Sequence, residues 1–66
     1  MQVTVNGDPR HLSDGTTVAA LLGELGLQVG SVVVEHNGTA LLRSEALVAS
    51  LHEGDVVELV KAVAGG

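Results

Sequence analysis

The residue best placed to react in this chain is Gly66. The sequence reads Ala64-Gly65-Gly66 directly after a β-rich stretch. Neither glycine has a Cβ, so this backbone can enter a narrow slot and approach a phosphate closely. The chemistry open to such an end is that of its carboxylate, which can be activated to a better acyl donor and then transferred. Other chemistries lack their groups. The chain has no cysteine, which removes disulfides, thiolate metal sites and persulfide chemistry. His11, His36 and His52 stand far apart with no metal-ligand spacing and read as surface or half-buried residues. No Ser-His-Asp arrangement can be argued. Asn6-Gly7-Asp8 and Glu53-Gly54-Asp55 read as turns rather than acid–base pairs. No glycine-rich loop matches a nucleotide-binding pattern, so no cofactor is expected to be bound here, and any ATP should sit on a partner. The competing reading of the two glycines is a frayed end or an expression scar.

Composition narrows the setting. Sixty-six residues make one domain, 1–66, marginal in size but able to fold alone. Residues 64–66 are expected to form a flexible tail on that domain. The core must be aliphatic, because the chain has no Phe, Tyr or Trp, and 45% of its residues are hydrophobic. A formal charge of −5 leaves only Arg10, Arg43 and Lys61 as cations. Three scattered cations cannot displace the counterions of a nucleic acid, and they disfavour an anionic membrane surface. The acidic balance suits solubility and steering towards a basic partner surface. The absence of cysteine staples, of a signal peptide and of an apolar run of membrane-spanning length predicts a cytoplasmic protein. The free protein is expected to be a monomer.

The elements follow from periodicity and turn chemistry. Gln2-Val3-Thr4-Val5-Asn6 alternates polar and apolar residues as a half-buried strand does. After a turn over residues 6–9, Arg10-His11-Leu12 is expected to pair back as a hairpin. Thr16 or Thr17 can cap a helix whose apolar stripe is Val18, Leu21, Leu22 and Leu25, with Gly26 placed to end it. Ser31 to His36 is a β-branched strand, Asn37-Gly38 a tight turn, and residues 39–42 a short extended segment. Ser44 to Leu47 can form one helical turn. Val56 to Val63 is the last strand, and its apolar content predicts a central position. One helix against a small mixed sheet is an α+β two-layer fold, in the order found in the β-grasp, or ubiquitin-like, fold.

Several stretches together carry a family likeness. They are Val3-Thr4-Val5-Asn6-Gly7, residues 17–22, Val34-Glu35-His36-Asn37-Gly38, Leu42-Arg43-Ser44-Glu45, residues 53–59 and residues 62–66. In this order, and over its full length, the chain resembles the ThiS-type sulfur carriers of thiamine biosynthesis. It departs from the pattern at Leu42, where many members have proline, and at His36, a position more often apolar. The resemblance implies that the Gly66 carboxylate is adenylated with ATP by an E1-like adenylyltransferase. It implies that sulfur from a sulfur donor protein then replaces AMP to give a thiocarboxylate, and that a thiazole synthase receives the sulfur. The chain would then be a protein co-substrate rather than an enzyme.

Docking residues can be proposed on the last strand. If Val57 and Leu59 face the helix, Val56, Val60 and Ala62 lie on the open sheet face, beside Ala64 and Gly65 of the tail. An exposed apolar patch there suits an enzyme partner, although a loop or neighbouring subunit could also cover it. Three other functions use the same features: a molybdopterin-type sulfur carrier, a ubiquitin-like protein modifier ending as a lysine isopeptide, and a non-reacting interaction module. Short length and the match from Asn37 to Glu45 favour the thiazole branch.

Overall fold

A computed structural model describes residues 1–61; Ala62, Val63, Ala64, Gly65 and Gly66 lie outside the described residues. The element order is β1 (Gln2–Val5), β2 (Asp8–His11), α1 (Val18–Glu24), β3 (Val32–His36), β4 (Thr39–Ala40), α2 (Arg43–Val48) and β5 (Val56–Lys61). The five strands form one sheet in the order β2-β1-β5-β3-β4. β5 is thus central, as its apolar content predicts. It runs parallel to β1 and antiparallel to β3, while β1–β2 and β3–β4 are antiparallel hairpins.

Two Asn-Gly turns define the hairpins. Asn6 and Gly7 have φ of 49° and 85°, and Asn37 and Gly38 have 52° and 85°. Successive left-handed residues match the twist of the flanking strands, and Asn is the side-chain-bearing residue that tolerates this region best. Each asparagine also stitches its turn to the central strand. Asn6 Oδ1 accepts from the Leu59 N–H at 2.7 Å, and Asn37 Oδ1 accepts from the Val56 N–H at 2.8 Å. The first turn is tighter than the four residues expected, so β2 begins at Asp8. It therefore contains Pro9, which β2 can hold because it is an edge strand.

Helix α1 follows its stripe. Thr17 is the N-cap, its hydroxyl accepting from the Ala20 N–H at 3.1 Å. Gly26 (φ 73°) ends the helix, with Gly26 N donating to Gly23 O and Leu27 N to Leu22 O, the paired bonds of a Schellman motif. Leu25, expected inside the helix, is its C-cap and only half-buried. Helix α2 is longer than the single turn expected. Glu45 begins it by accepting from the Leu42 N–H at 2.7 Å, which is half of a capping box, since Leu42 has no hydroxyl to return the bond.

The core lies between α1 and one face of the sheet. Val18, Leu21, Leu22, Val3 and Val57 are almost wholly buried, with Val5, Val34, Ala46 and Leu51 around them. Among the described residues, no helix is long and apolar enough to cross a membrane.

Candidate functional site

The site grows from the uncovered side of the sheet. Side chains alternate across a strand, so the residues that build the core on one face fix which ones face outward on the other. On β5, Val57 is fully buried, while Val56 and Val60 are 43% and 53% exposed. On β3, Val34 is buried and Val33 is 44% exposed. Register then brings the outward residues together. Val33 lies opposite Val60, and Glu35 opposite Glu58. Val56 lies opposite Thr4 of β1. The open face is therefore an aliphatic surface of Val33, Val56 and Val60 crossed by two neighbouring glutamates.

Val56 and Val60 sit where the sequence places them. Ala62, Ala64, Gly65 and Gly66 fall outside the described residues. Sequence reasoning did not single out Val33, Glu35 or Glu58 for this face. Val33 and Glu35 share the period-2 parity that sets Val34 in the core, but their partners on β5 depend on a pairing that no local pattern specifies.

A second cluster fixes the start of β5. Asp55, read from sequence as part of a turn, is also a buried hub. Its carboxylate accepts from Asn37 Nδ2 at 3.0 Å and from the His52 N–H at 2.9 Å, and it lies 2.7 Å from His36 Nε2. His52 Nδ1 stands 3.9 Å away on an exposed side chain. Burial would raise the Asp55 pKa, but the hydrogen bonds from His36, Asn37 and the His52 backbone, with the charge on His36, bring it down from 3.8 to about 2. His36 and His52 thus converge on one carboxylate although they are distant in sequence. Among the described residues, no group of three or more His, Cys, Asp or Glu could hold a metal ion. The hub holds the β3–β4 turn against the turn before β5, and Gly54 supplies the φ of 83° that this second turn requires.

On the covered side, an open groove of about 380 Å3 runs beside α1, lined in part by Asn6, Arg10, Leu27 and Leu59. Arg10 sits opposite buried Val3, and Lys61 opposite buried Val32, so both cations belong to the covered side of the sheet. Arg43 begins α2, and its guanidinium lies against Gly30.

A solved structure shares this architecture. The crystal structure of a thiamine biosynthesis protein (ThiS) from Geobacter metallireducens superposes with a TM-score of 0.84 at 35% identity, covering all of both chains. A protein named sulfur carrier protein ThiS from Thermus thermophilus is 41% identical over 64 residues, which is 97% of this chain and 98% of the relative. A protein named thiazole synthase from Paramagnetospirillum magneticum is 38% identical over 66 residues. There the match covers all of this chain but only 20% of the longer relative. The family model described as ThiS family matches residues 3–66, and with its β-grasp sheet and the open face that the sheet presents, the chain belongs to the ThiS family.

Proposed function

We propose that this chain carries sulfur for thiazole assembly in thiamine biosynthesis, with the Gly66 carboxylate as the carrying group. The observation that supports this most is the near end-to-end likeness to a named sulfur carrier, 98% of whose length is covered. A free carboxylate is a poor acyl donor. Its oxygen attacks the α-phosphorus of ATP on an E1-like adenylyltransferase, pyrophosphate leaves, and an acyl-adenylate results. Hydrosulfide (HS⁻) delivered by a sulfur donor protein then attacks the carbonyl carbon, AMP leaves with the electron pair of the broken acyl–oxygen bond, and loss of the sulfur-bound proton leaves a thiocarboxylate. Sulfur is more nucleophilic than the oxygen it replaces, which suits delivery to a ring under construction.

The thiazole synthase is the acceptor in this reading. Its support is that a protein of that name contains a segment matching this whole chain within a longer polypeptide. The open face is the docking surface: Val56 and Val60, together with Ala62, bind the partner while Ala64 and Gly65 enter its active-site slot. The chain is a co-substrate rather than an enzyme, it binds no cofactor of its own, and it works in the cytoplasm.

Intact mass tests the reading. Incubation with ATP, an E1-like adenylyltransferase and a sulfur donor should add about 16 Da, the difference between sulfur and oxygen. Oxidation of Met1 adds nearly the same mass, so a Gly66-deleted chain and a thiocarboxylate-selective reagent are the controls. A gain that survives deletion of Gly66, or that needs no ATP, overturns the sulfur-carrier assignment in favour of a non-reacting interaction module. A lysine isopeptide in place of the mass gain points to a protein modifier.

A further inference from the structure

The two glutamates at the middle of the open face have no structural reason to stand together. Glu35 on β3 and Glu58 on β5 are direct cross-strand partners. Side chains so placed have Cβ atoms about 4.5–5.5 Å apart, and like charges in that position destabilise a sheet. Nothing in the described structure relieves them. The ion pairs among the described residues join the N-terminus to Asp14, and His36 and His52 to Asp55. Every Lys and Arg lies elsewhere: Arg10 and Lys61 opposite buried valines on the covered side, and Arg43 at the start of α2 against Gly30. The neighbours on the open face are Val33 and Val60, one step along the same two strands, and Val56 beyond Glu58. An aliphatic surface with an uncompensated double negative charge at its middle is complementary to one kind of partner surface: an apolar patch presenting a lysine or arginine.

The structure assigns Glu35 and Glu58 as a paired-carboxylate socket for a single cationic side chain on the partner that docks on this face. That partner is the thiazole synthase, and the assignment therefore rests on the function proposed above. In the free protein the two like charges stand on paired positions with no counterion among the described residues. In the complex, the inserted cation neutralises both carboxylates at once, and the valines around them exclude water, which strengthens the attraction. The cation cannot dock on a like-charged or neutral surface with the same gain, so the pair selects the partner as well as holding it. The glutamates position the carrier; they take no part in the chemistry at Gly66.

This assignment makes stability and binding move in opposite directions, which a purely structural role would not do. The test uses the full chain and recombinant thiazole synthase from the same source, with affinity measured at low and moderate salt and melting followed in the free chain. Glu58→Gln keeps the size of the side chain and removes one charge. It should leave the melting temperature unchanged or raise it by about 1–4 °C, as release of a cross-strand repulsion in a small domain would. Glu35→Gln combined with Glu58→Gln should weaken binding about 5- to 30-fold, mostly through faster dissociation, and with a flatter salt dependence. Glu58→Lys turns the repulsive pair into an attractive one, and should raise the melting temperature most while binding worst. Unchanged affinity and salt slope in the double Gln variant overturn the socket. So does a fall in melting temperature that parallels the loss of binding. The wild-type chain is carried through the ATP-dependent mass assay in parallel. If it gains about 16 Da while the Gln variants bind normally, the socket fails and the carrier reading stands. If it gains nothing, the carrier reading fails and the socket falls with it.

Discussion

The covered and open faces of the sheet are made from the same strands, one residue apart, and they obey different rules. On the covered face, Val3, Val5, Val34 and Val57 are buried with no polar atom among them, packed against Leu21 and Leu22 of α1. On the open face the alternate residues of β3 and β5 leave Val33, Val56 and Val60 in solvent and set Glu35 against Glu58. Folding accounts for the first arrangement completely. It gives no reason for the second, which exposes apolar area and opposes like charges. Where packing stops explaining the residue choice, the docking role proposed above offers a reason, and on this sheet the change occurs between adjacent residues of one strand.

The largest effect should follow from damaging the covered side. Leu22 is 1% exposed, in the middle of the apolar stripe of α1. Leu22→Ala should cost about 2–5 kcal/mol, a large share of the roughly 5–15 kcal/mol that holds a small domain together. A melting curve in buffer or denaturant will show it, and wild-type melting would break the division between faces at its root.

A smaller effect belongs to the Asp55 hub, which ties the edge of both faces together. Its carboxylate is held below its ordinary pKa, at about 2 against 3.8. A depressed carboxylate contributes stability above its unfolded pKa and loses that contribution as pH falls through the folded value. The melting temperature should therefore drop between about pH 4 and pH 2, and Asp55→Asn should flatten that segment. At neutral pH the same substitution should cost about 1–3 kcal/mol, because it disturbs a buried acceptor of several hydrogen bonds. An Asp55→Asn chain that keeps the wild-type acid profile would locate the acid sensitivity elsewhere.

The smallest stability change, and the sharpest contrast, is expected on the open face. Val60→Ser removes an exposed aliphatic side chain that packs on nothing in the core. It should alter stability by no more than about 0.5 kcal/mol, yet, under the proposed function, slow sulfur transfer to a thiazole synthase at sub-saturating carrier. Loss of stability comparable to Leu22→Ala would mean that Val60 belongs to folding and not to docking.

Local signals in the sequence determined most of the fold. Thr17 caps α1 and Gly26 ends it, because a hydroxyl and a residue without a Cβ solve the helix-end problem using chain neighbours alone. Asn6-Gly7 and Asn37-Gly38 are turns for equally local reasons, and the alternation along β5 set Val56 and Val60 on one face and Val57 on the other, while burial decided which face is inside. The likeness to the sulfur carriers was also legible, since it rests on short motifs in a fixed order. Tertiary structure alone decided the rest. Glu35 meets Glu58 across 23 residues of chain, His36 meets Asp55 across 19, and Leu59 reaches Asn6 across 53. Such pairings depend on strand order and register, which are fixed by burying one face of the whole sheet at once, so no window of the sequence contains them. The sequence by itself therefore determined most of the elements and carried the family likeness. Only the packed sheet decided which charges stand side by side on its open face.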